Sequence, residues 1–231
     1  MKPLIIANWK MNPGTLRQTK ALFSAIQKTT KQKKVEVVIC PPYPYLVPLR
    51  QMKTNVVLGA QDCSWEKKGA LTGEVSAQQL KDIGCSYVIC GHSERKKYLG
   101  ETLGMTHAKL EAALKAGLHV LLCVENLREL QIFKKKTKSF KNVFLVFEPS
   151  SAISTQGGKQ ILPRDIALMS SAMRKIAGRN IPVLYGGSVN AKSIADIMKK
   201  GKVRGALVGA ASLKPKEFAK IVKESVAALP R

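Results

Sequence analysis

Tyr-Val-Ile-Cys-Gly-His-Ser-Glu-Arg occupies residues 87–95 and joins two kinds of sequence pattern. The apolar run at its start, which does not alternate with polar residues, indicates a strand covered on both faces, as strands are in a parallel sheet. The polar residues that follow Gly91 stand where a helix should begin, since parallel strands are usually joined through helices. The stretch therefore predicts a strand that leads into a helix.

The same strand and helix unit recurs along the whole sequence. The apolar runs that we assign to strands are residues 4–9, 35–40, 56–61, 87–91, 119–124, 143–147, 181–186 and 205–208. The stretches with apolar residues spaced three and four apart, which we assign to helices, are residues 15–31, 45–52, 76–83, 102–116, 127–138, 164–177, 191–199 and 216–228. Eight alternating units in 231 residues favour an α/β fold with a parallel eight-stranded core, a closed (β/α)₈ barrel, over a doubly wound open sheet. Because no linker or low-complexity block divides these units, we expect residues 1–231 to form a single domain.

The composition is typical of a globular protein, with 45% hydrophobic and 23% charged residues. Lysine and arginine number 39 against 15 aspartate and glutamate residues, so the formal net charge is +24. This excess favours anionic partners and makes nucleic acid one candidate. The motifs GxGxxG and GxxxxGK[ST] are absent from the sequence, which argues against binding of dinucleotides or nucleoside triphosphates by those loops.

The five cysteines are an odd number with no CxxC spacing, and they predict neither a disulfide framework nor a zinc cluster. Buried thiols in a reducing cytosol are the simplest interpretation. The apolar stretch near the N-terminus is too short for a signal peptide or a membrane span. We therefore expect a cytoplasmic protein that does not associate with a membrane.

Polar residues at the ends of predicted strands are the candidates for a site, because the carboxyl ends of barrel strands form it. Asn8 and Lys10 point to the same side of the first strand, since side chains alternate along a strand. His92 faces the positive end of a helix, which favours the neutral imidazole. Glu148 follows five apolar residues, and a partly desolvated carboxylate is a suitable base. The ordinary alternatives are a surface lysine for Lys10 and a structural hydrogen bonder for His92. Glu94, in the first turn of the helix after His92, has the alternative role of a carboxylate that offsets the helix dipole.

Small residues follow the seventh and eighth predicted strands. Gly186, Gly187 and Ser188 end the first of these, and Gly209 and Ala210 end the second. In barrels these two loops commonly bind phosphate through backbone N–H groups, and glycine lets the anion approach the backbone closely. A phosphorylated small molecule is therefore a target for the positive charge other than nucleic acid.

Five motifs taken together resemble those of the triosephosphate isomerase family, in the same order and at predicted strand ends. They are residues 8–12 (NWKMN), 91–95 (GHSER), 147–149 (FEP), 185–189 (YGGSV) and 207–209 (LVG). Residues 69–76 (GALTGEVS) also resemble the family's intersubunit loop. The resemblance spans the chain, and the joint occurrence of the motifs is far more specific than any one of them.

The resemblance implies the interconversion of dihydroxyacetone phosphate and D-glyceraldehyde 3-phosphate through an enediolate, with no metal or cofactor. By the same resemblance, Glu148 would move the proton between the two carbons, and neutral His92 would polarise the carbonyl and shuttle protons between oxygens. Lys10 would stabilise negative charge on the substrate, assisted by the Asn8 amide. Glu94, near Lys10, would be a second carboxylate that supports proton transfer or charge placement.

The phosphate and the lid are also implied by the resemblance. Residues 150–159 would form a lid that excludes water, latched by Tyr185 and Ser188. The backbone N–H groups that would bind the phosphate belong to Ser154, Ser188, Gly209 and Ala210.

Two regions depart from the family's pattern. Residues 150–156 read SSAISTQ, where the family usually has Val-Trp and then an Ala-Ile-Gly-Thr-Gly tip, so Ser154 takes the place of a glycine. Residues 123–126 read CVEN in place of the family's Cys-Val-Gly-Glu, and the stretch from there to Glu148 is shortened. One alternative function is therefore a lid-impaired, weakly active barrel. A basic barrel that binds anions or nucleic acid is another.

Thr72 lies on the loop from Gln61 to Glu74 and resembles the residue that the family inserts into a neighbouring subunit's site. The resemblance implies a homodimer formed through this loop, and the shortened fifth unit leaves a tetramer as the alternative. The positive charge opposes close approach of subunits at low salt. No specific nucleic-acid partner is expected.

Overall fold

The strands of this protein close into a barrel. A computed structural model describes residues 2–30, 34–52, 56–149 and 161–228. The strands are β1 (Leu4–Asn8), β2 (Glu36–Cys40), β3 (Val57–Ala60), β4 (Tyr87–Cys90), β5 (His119–Val124), β6 (Val143–Phe147), β7 (Val183–Tyr185) and β8 (Gly205–Val208). All are parallel and pair in chain order, and β8 pairs with β1 to close the sheet. The predicted (β/α)₈ barrel is confirmed, and the open-sheet alternative is wrong.

The described ranges contain nine α-helices, one more than the eight predicted. They are α1 (Leu16–Thr29), α2 (Leu46–Arg50), α3 (Ala77–Asp82), α4 (Ser93–Leu99), α5 (Leu103–Lys115), α6 (Leu127–Lys136), α7 (Pro163–Ala177), α8 (Ile194–Lys200) and α9 (Pro215–Ala227). The strict alternation of one strand with one helix is wrong after β4, which is followed by two helices, α4 and α5. Gly100 ends α4 in the left-handed conformation (φ 67°), and the Thr102 side chain then caps α5 by accepting a hydrogen bond from the Met105 N–H. These two signals divide the segment into two helices.

Alternate residues along the strands belong to two separate apolar layers. The barrel interior is filled by Leu4, Ile6, Val38, Cys40, Tyr87, Ile89, Leu121, Cys123, Val146, Leu184 and Leu207. Residues at the intervening positions pack outward in the layer that includes the helices, and Trp9 belongs to this outer layer. Asn8 is two residues beyond Ile6 and Glu148 is two residues beyond Val146. Strand periodicity therefore places both polar side chains on the interior side, at the carboxyl end of the barrel.

A buried ionic cluster joins the loop after β3 to helices α4 and α5. The Lys109 ammonium lies 2.8 Å from Asp62 Oδ2 and 2.6 Å from Glu101 Oε2. Arg95 also contacts both carboxylates, at 2.9 Å and 2.7 Å. Burial lowers the pKa of Lys109, but the two carboxylates outweigh it and hold that pKa above its usual value. The cluster pairs two cations with two anions, so no charge in it is left uncompensated.

All five cysteines are free and buried, as predicted. Burial raises the pKa of the Cys40 thiol, and it raises the pKa of the Cys85 thiol to about 12. The thiols of Cys40 and Cys85 therefore stay protonated and act as small apolar side chains. Within the described part of the chain, none of the helices combines the length and the apolar character that crossing a membrane requires.

Candidate active site

A small cavity opens at the carboxyl ends of the strands. Five of the residues that the sequence predicted for the site line it: Asn8, Lys10, His92, Glu148 and Gly209. They come from the ends of four different strands, β1, β4, β6 and β8, so only closure of the barrel brings them together. The other lining residues are Gly186, Gly187 and Leu207.

Lys10 is held in a left-handed backbone conformation, with φ 53°. This region is sparsely populated for a lysine and persists only where surrounding contacts determine it. The Lys10 N–H donates to Asn8 Oδ1 at 3.0 Å. The Gln61 amide donates to the Lys10 carbonyl at 2.8 Å and to the Cys40 carbonyl at 2.9 Å. Asn8 and Gln61 thus hold the backbone that directs the lysine into the cavity.

The Lys10 side chain runs along Gly209 to the Glu94 carboxylate. A Cβ added at Gly209 would lie 3.4 Å from Lys10 Cε, so the glycine leaves the lysine its path. The Lys10 ammonium donates to Glu94 Oε1, and both side chains are about one quarter exposed. The predicted proximity of Glu94 to Lys10 is confirmed. Because water reaches the pair, the lysine charge remains accessible to an anion in the cavity.

His92 is the N-cap residue of α4, and this position determines its hydrogen bonds. Its Nδ1 accepts a hydrogen bond from the Glu94 N–H at 3.2 Å. A ring nitrogen that accepts carries no proton, so the neutral imidazole carries its proton on Nε2. Nε2 lies 3.3 Å from Glu148 Oε1 at the cavity. The ring therefore offers an N–H donor at the cavity.

Glu148 is 1% exposed and stands at the end of β6. The Ser93 N–H, at the start of α4, donates to its Oε2 at 3.0 Å. Burial first, and then the charge of Glu148, raises the pKa of the neighbouring Cys123 thiol. A desolvated carboxylate held by one backbone N–H, with its second oxygen toward the cavity, is arranged to act as a base.

Two of the predicted phosphate contacts are not among the residues that line the cavity. Ser188 and Ala210 follow β7 and β8, at the same end of the barrel, but they are not among the lining residues. Ser154 and the predicted lid, residues 150–159, lie outside the described residues. The latch of Tyr185 and Ser188 therefore stays a prediction, although burial raises the pKa of Tyr185 to about 12, so its hydroxyl keeps its proton.

Sequence reasoning missed three contributors to the site. Gln61 was assigned to the end of the third predicted strand and the start of the intersubunit loop, but not to the site, although polar residues at strand ends were the candidates. Gly186 was predicted only as part of the turn after the seventh strand, but it packs against Glu148, since a Cβ there would lie 2.6 Å from Glu148 Cγ. The Ser93 N–H had no signal of its own, because a backbone donor is recognised only once its helix is placed.

Across ranges 2–30, 34–52, 56–149 and 161–228, no group of three or more histidine, cysteine or acidic side chains is arranged to hold a metal ion.

A sequence model of the family described as "Triosephosphate isomerase" matches residues 3–225. The chain belongs to the triosephosphate isomerase family. The residues matched include all five that line the cavity and were predicted from the sequence, so family membership and the site concern the same part of the molecule.

Individual members of the triosephosphate isomerase family match over nearly their full length. The triosephosphate isomerase of Aquifex aeolicus is 37% identical over 247 residues, covering 96% of this chain and 99% of that protein. Those of Endomicrobium trichonymphae and Carboxydothermus hydrogenoformans are both 38% identical, over 250 and 251 residues, and each covers 97% of this chain and 99% of the relative. These alignments are longer than the 231 residues of this chain, which therefore lacks residues that the relatives have.

Proposed function

We propose that this protein is an isomerase that interconverts dihydroxyacetone phosphate and D-glyceraldehyde 3-phosphate, a step of glycolysis and gluconeogenesis. The observation that carries the proposal is the approach of Glu148 Oε1 to within 3.3 Å of His92 Nε2 at one cavity. A base and a hydrogen-bond donor side by side are what proton transfer next to a carbonyl requires. Membership of the triosephosphate isomerase family supports the same reaction.

Glu148 is the proposed base for the carbon-bound proton. It removes the proton from the carbon next to the carbonyl, which leaves an enediolate, and returns it to the neighbouring carbon. The Ser93 N–H holds Oε2, and Oε1, next to His92 on the cavity side, is the oxygen that reaches that proton. At 1% exposure the carboxylate is shielded from bulk water and lies against the cavity, where a base must reach the carbon-bound proton.

His92 and Lys10 are the proposed electrophiles. The His92 Nε2–H donates to the carbonyl oxygen and moves protons between the two oxygens of the enediolate. The Lys10 ammonium and the Asn8 amide stabilise the negative charge, and Glu94 holds the ammonium in place. Preorganised donors of this kind typically contribute about 3 kcal/mol each.

The phosphate group is proposed to lie at the loops after β7 and β8. Backbone N–H groups of Ser188, Gly209 and Ala210 are the donors, joined by Ser154 from the lid. Gly209 lines the cavity, and the 3₁₀ helix Ala210–Leu213 begins directly after it, so N–H groups at its first turn have no partners within the helix. The reaction as proposed needs no metal or cofactor.

A coupled assay of the purified protein with D-glyceraldehyde 3-phosphate tests the reaction. We expect Glu148→Gln to lower kcat by about a thousandfold or more, and Glu148→Asp by about a hundredfold, because the shorter side chain misplaces the base. Glu111→Gln is the matched control, since Glu111 is 48% exposed on α5. Wild-type turnover in both Glu148 variants would refute the assignment. Equal kcat/KM for the substrate and for glyceraldehyde without phosphate would favour the lid-impaired barrel instead.

A homodimer formed through the loop from Gln61 to Glu74 is also proposed, with a tetramer as the alternative. Residues 65–74 are all exposed, and they include Trp65 and Leu71, which are 37% and 40% exposed. Apolar side chains grouped on an exposed loop are typical of a contact surface. Thr72 would reach the partner's site. Sedimentation equilibrium at low and high salt should give a dimer that Thr72→Arg weakens, and a monomer at every concentration would contradict this.

We also propose that the protein acts in the cytoplasm.

A further inference from the structure

Helix α4 carries three of the groups that meet at the site. His92 is its N-cap, the Ser93 N–H binds Glu148, and Glu94 pairs with Lys10. The helix has only seven residues, and helices this short are unstable on their own. Its position, and with it the geometry of the site, must therefore come from contacts with neighbouring elements.

Two consecutive cations tie α4 to the elements on both sides of it. Arg95 contacts Asp62, in the loop after β3, at 2.9 Å. Lys96 contacts Glu125, directly after β5, at 3.0 Å, and Glu129, in the first turn of α6, at 2.9 Å. Strand β4 lies between β3 and β5 in the barrel. The two cations therefore hold α4 from opposite directions.

The contacts of Lys96 are mostly screened from water. The side chains of Lys96 and Glu129 are each 14% exposed, and that of Glu125 is 27% exposed. The Glu125 N–H also donates to Glu129 Oε2 at 2.9 Å, so the two carboxylates belong to one connected unit. Burial lowers the pKa of Lys96, but Glu129 and then Glu125 outweigh it and raise the pKa above its usual value. The lysine is charged throughout the physiological range.

We propose that Lys96, anchored by Glu125 and Glu129, is a positioning residue that holds the first turn of α4 in register with Glu148. The inference rests on the proposed function, because it assigns the positioned groups to the isomerase reaction. Lys96 lies one turn beyond His92, and its backbone N–H donates to the His92 carbonyl at 3.3 Å. A shift of α4 toward solvent would lengthen both the Ser93 N–H bond to Glu148 and the approach of His92 to the same carboxylate.

A single misplacement of about 1 Å at an active site can cost about a hundredfold in rate. A smaller displacement of a helix still held by Arg95 should cost less.

Steady-state kinetics of Lys96→Met test the proposal. We expect kcat to fall about tenfold with KM changed less than twofold, because the groups that α4 positions act on the transition state. Lys96→Arg, which keeps the charge, should recover kcat to within about threefold of the wild type. The matched control is Lys200→Met, since Lys200 pairs with Asp196 on the exposed face of α8. It should leave both constants unchanged.

The coupling of Lys96 with its anchor provides a second measurement. Glu125→Gln should lower kcat by less than Lys96→Met, and the double variant should match Lys96→Met alone, because both changes break the same contact. Independent, multiplying losses would contradict the assignment. So would a wild-type kcat in Lys96→Met.

Hydrogen exchange of the Ser93 amide separates this inference from the reaction itself. That amide donates to Glu148, so its exchange should accelerate at least tenfold in Lys96→Met and remain unchanged in Lys200→Met. If the wild type does not isomerise the substrate, the proposed function fails, but accelerated exchange would still establish the positioning. Unchanged exchange in Lys96→Met would overturn it, whatever the activity.

Discussion

Lys10 and Lys109 both pair with carboxylates, but they lie in regions of the molecule that serve different tasks. Lys10 stands at the barrel mouth, 23% exposed, with a left-handed backbone, and its ammonium contacts Glu94 beside a cavity. The Lys109 side chain is 2% exposed, and its ammonium lies between Asp62 and Glu101. A lysine enclosed by two carboxylates stabilises the fold, whereas a lysine beside open space can interact with the charge of a substrate. The two roles therefore differ because of how exposed each ammonium is and how many carboxylates pair with it, and not because of the residue type.

Lys10→Met should give the largest effect and act on activity. We expect kcat/KM to fall about a thousandfold, equivalent to about 4 kcal/mol, because the charge that stabilises the enediolate is lost. The free energy of unfolding should change by about 1 kcal/mol or less, since a partly exposed ion pair contributes little. Kinetics and urea denaturation on the same preparation measure both quantities. If Lys10→Met lost more free energy of unfolding than transition-state stabilisation, Lys10 would act on stability as Lys109 does, and the proposed difference between the two lysines would be wrong.

Lys109→Met should act on stability instead. Removing the cation leaves Asp62 and Glu101 sharing only Arg95, and breaking a buried pair typically costs about 3–5 kcal/mol. The activity per folded molecule should remain within about threefold of the wild type. If the variant does not fold, adding Asp62→Asn should restore part of its stability, because it removes one uncompensated charge. A variant that was stable but inactive would place Lys109 in the catalytic machinery.

Gly186→Ala should sharpen the comparison by disturbing the mouth without changing a charge. The new Cβ would lie 2.6 Å from Glu148 Cγ and 2.8 Å from Val146 Cγ1, so the carboxylate must move. We expect kcat to fall about tenfold to a hundredfold, and stability to fall by about 1–3 kcal/mol from overpacking. Gly104→Ala is the control, because its nearest neighbour is 3.7 Å away and its helix tolerates alanine. Equal kinetics in the two variants would show that Glu148 tolerates displacement.

The smallest expected effect is a difference between the wild type and Lys109→Met in how the free energy of unfolding changes at alkaline pH. The pKa of Lys109 is raised in the folded protein, so the native state keeps its proton at pH values where the unfolded chain loses it. The stabilisation is therefore complete below pH 10.5, the ordinary value, and is lost as the pH rises through the folded pKa. Wild type should lose about 1.4 kcal/mol per pH unit more than Lys109→Met above that point. Urea denaturation between pH 9 and about pH 11.5 measures this, and parallel curves would contradict it.

The sequence predicted the barrel and five of the residues that line its cavity. It succeeded because continuous apolar runs mark buried parallel strands, and because the polar residues at their carboxyl ends must converge once the barrel closes. It failed at α4, because only residues 102–116 of this segment were assigned to a helix, whereas Ser93–Leu99 forms a separate helix that ends at the left-handed Gly100. The partners of Lys109 were also not predictable, since Asp62 lies 47 positions away in the chain.

Local patterning was enough to specify the order of strands, the polar character of the barrel mouth and the burial of the thiols, because each depends on the burial of neighbouring positions along the chain. Only the folded barrel decided which ring nitrogen of the neutral His92 carries the proton, how the Glu148 carboxylate is oriented and which lysine ammonium remains accessible to the cavity. Those properties depend on hydrogen bonds a few ångströms long between groups that the chain separates by tens of residues. Distances of that kind exist only after closure of the sheet brings the strand ends together.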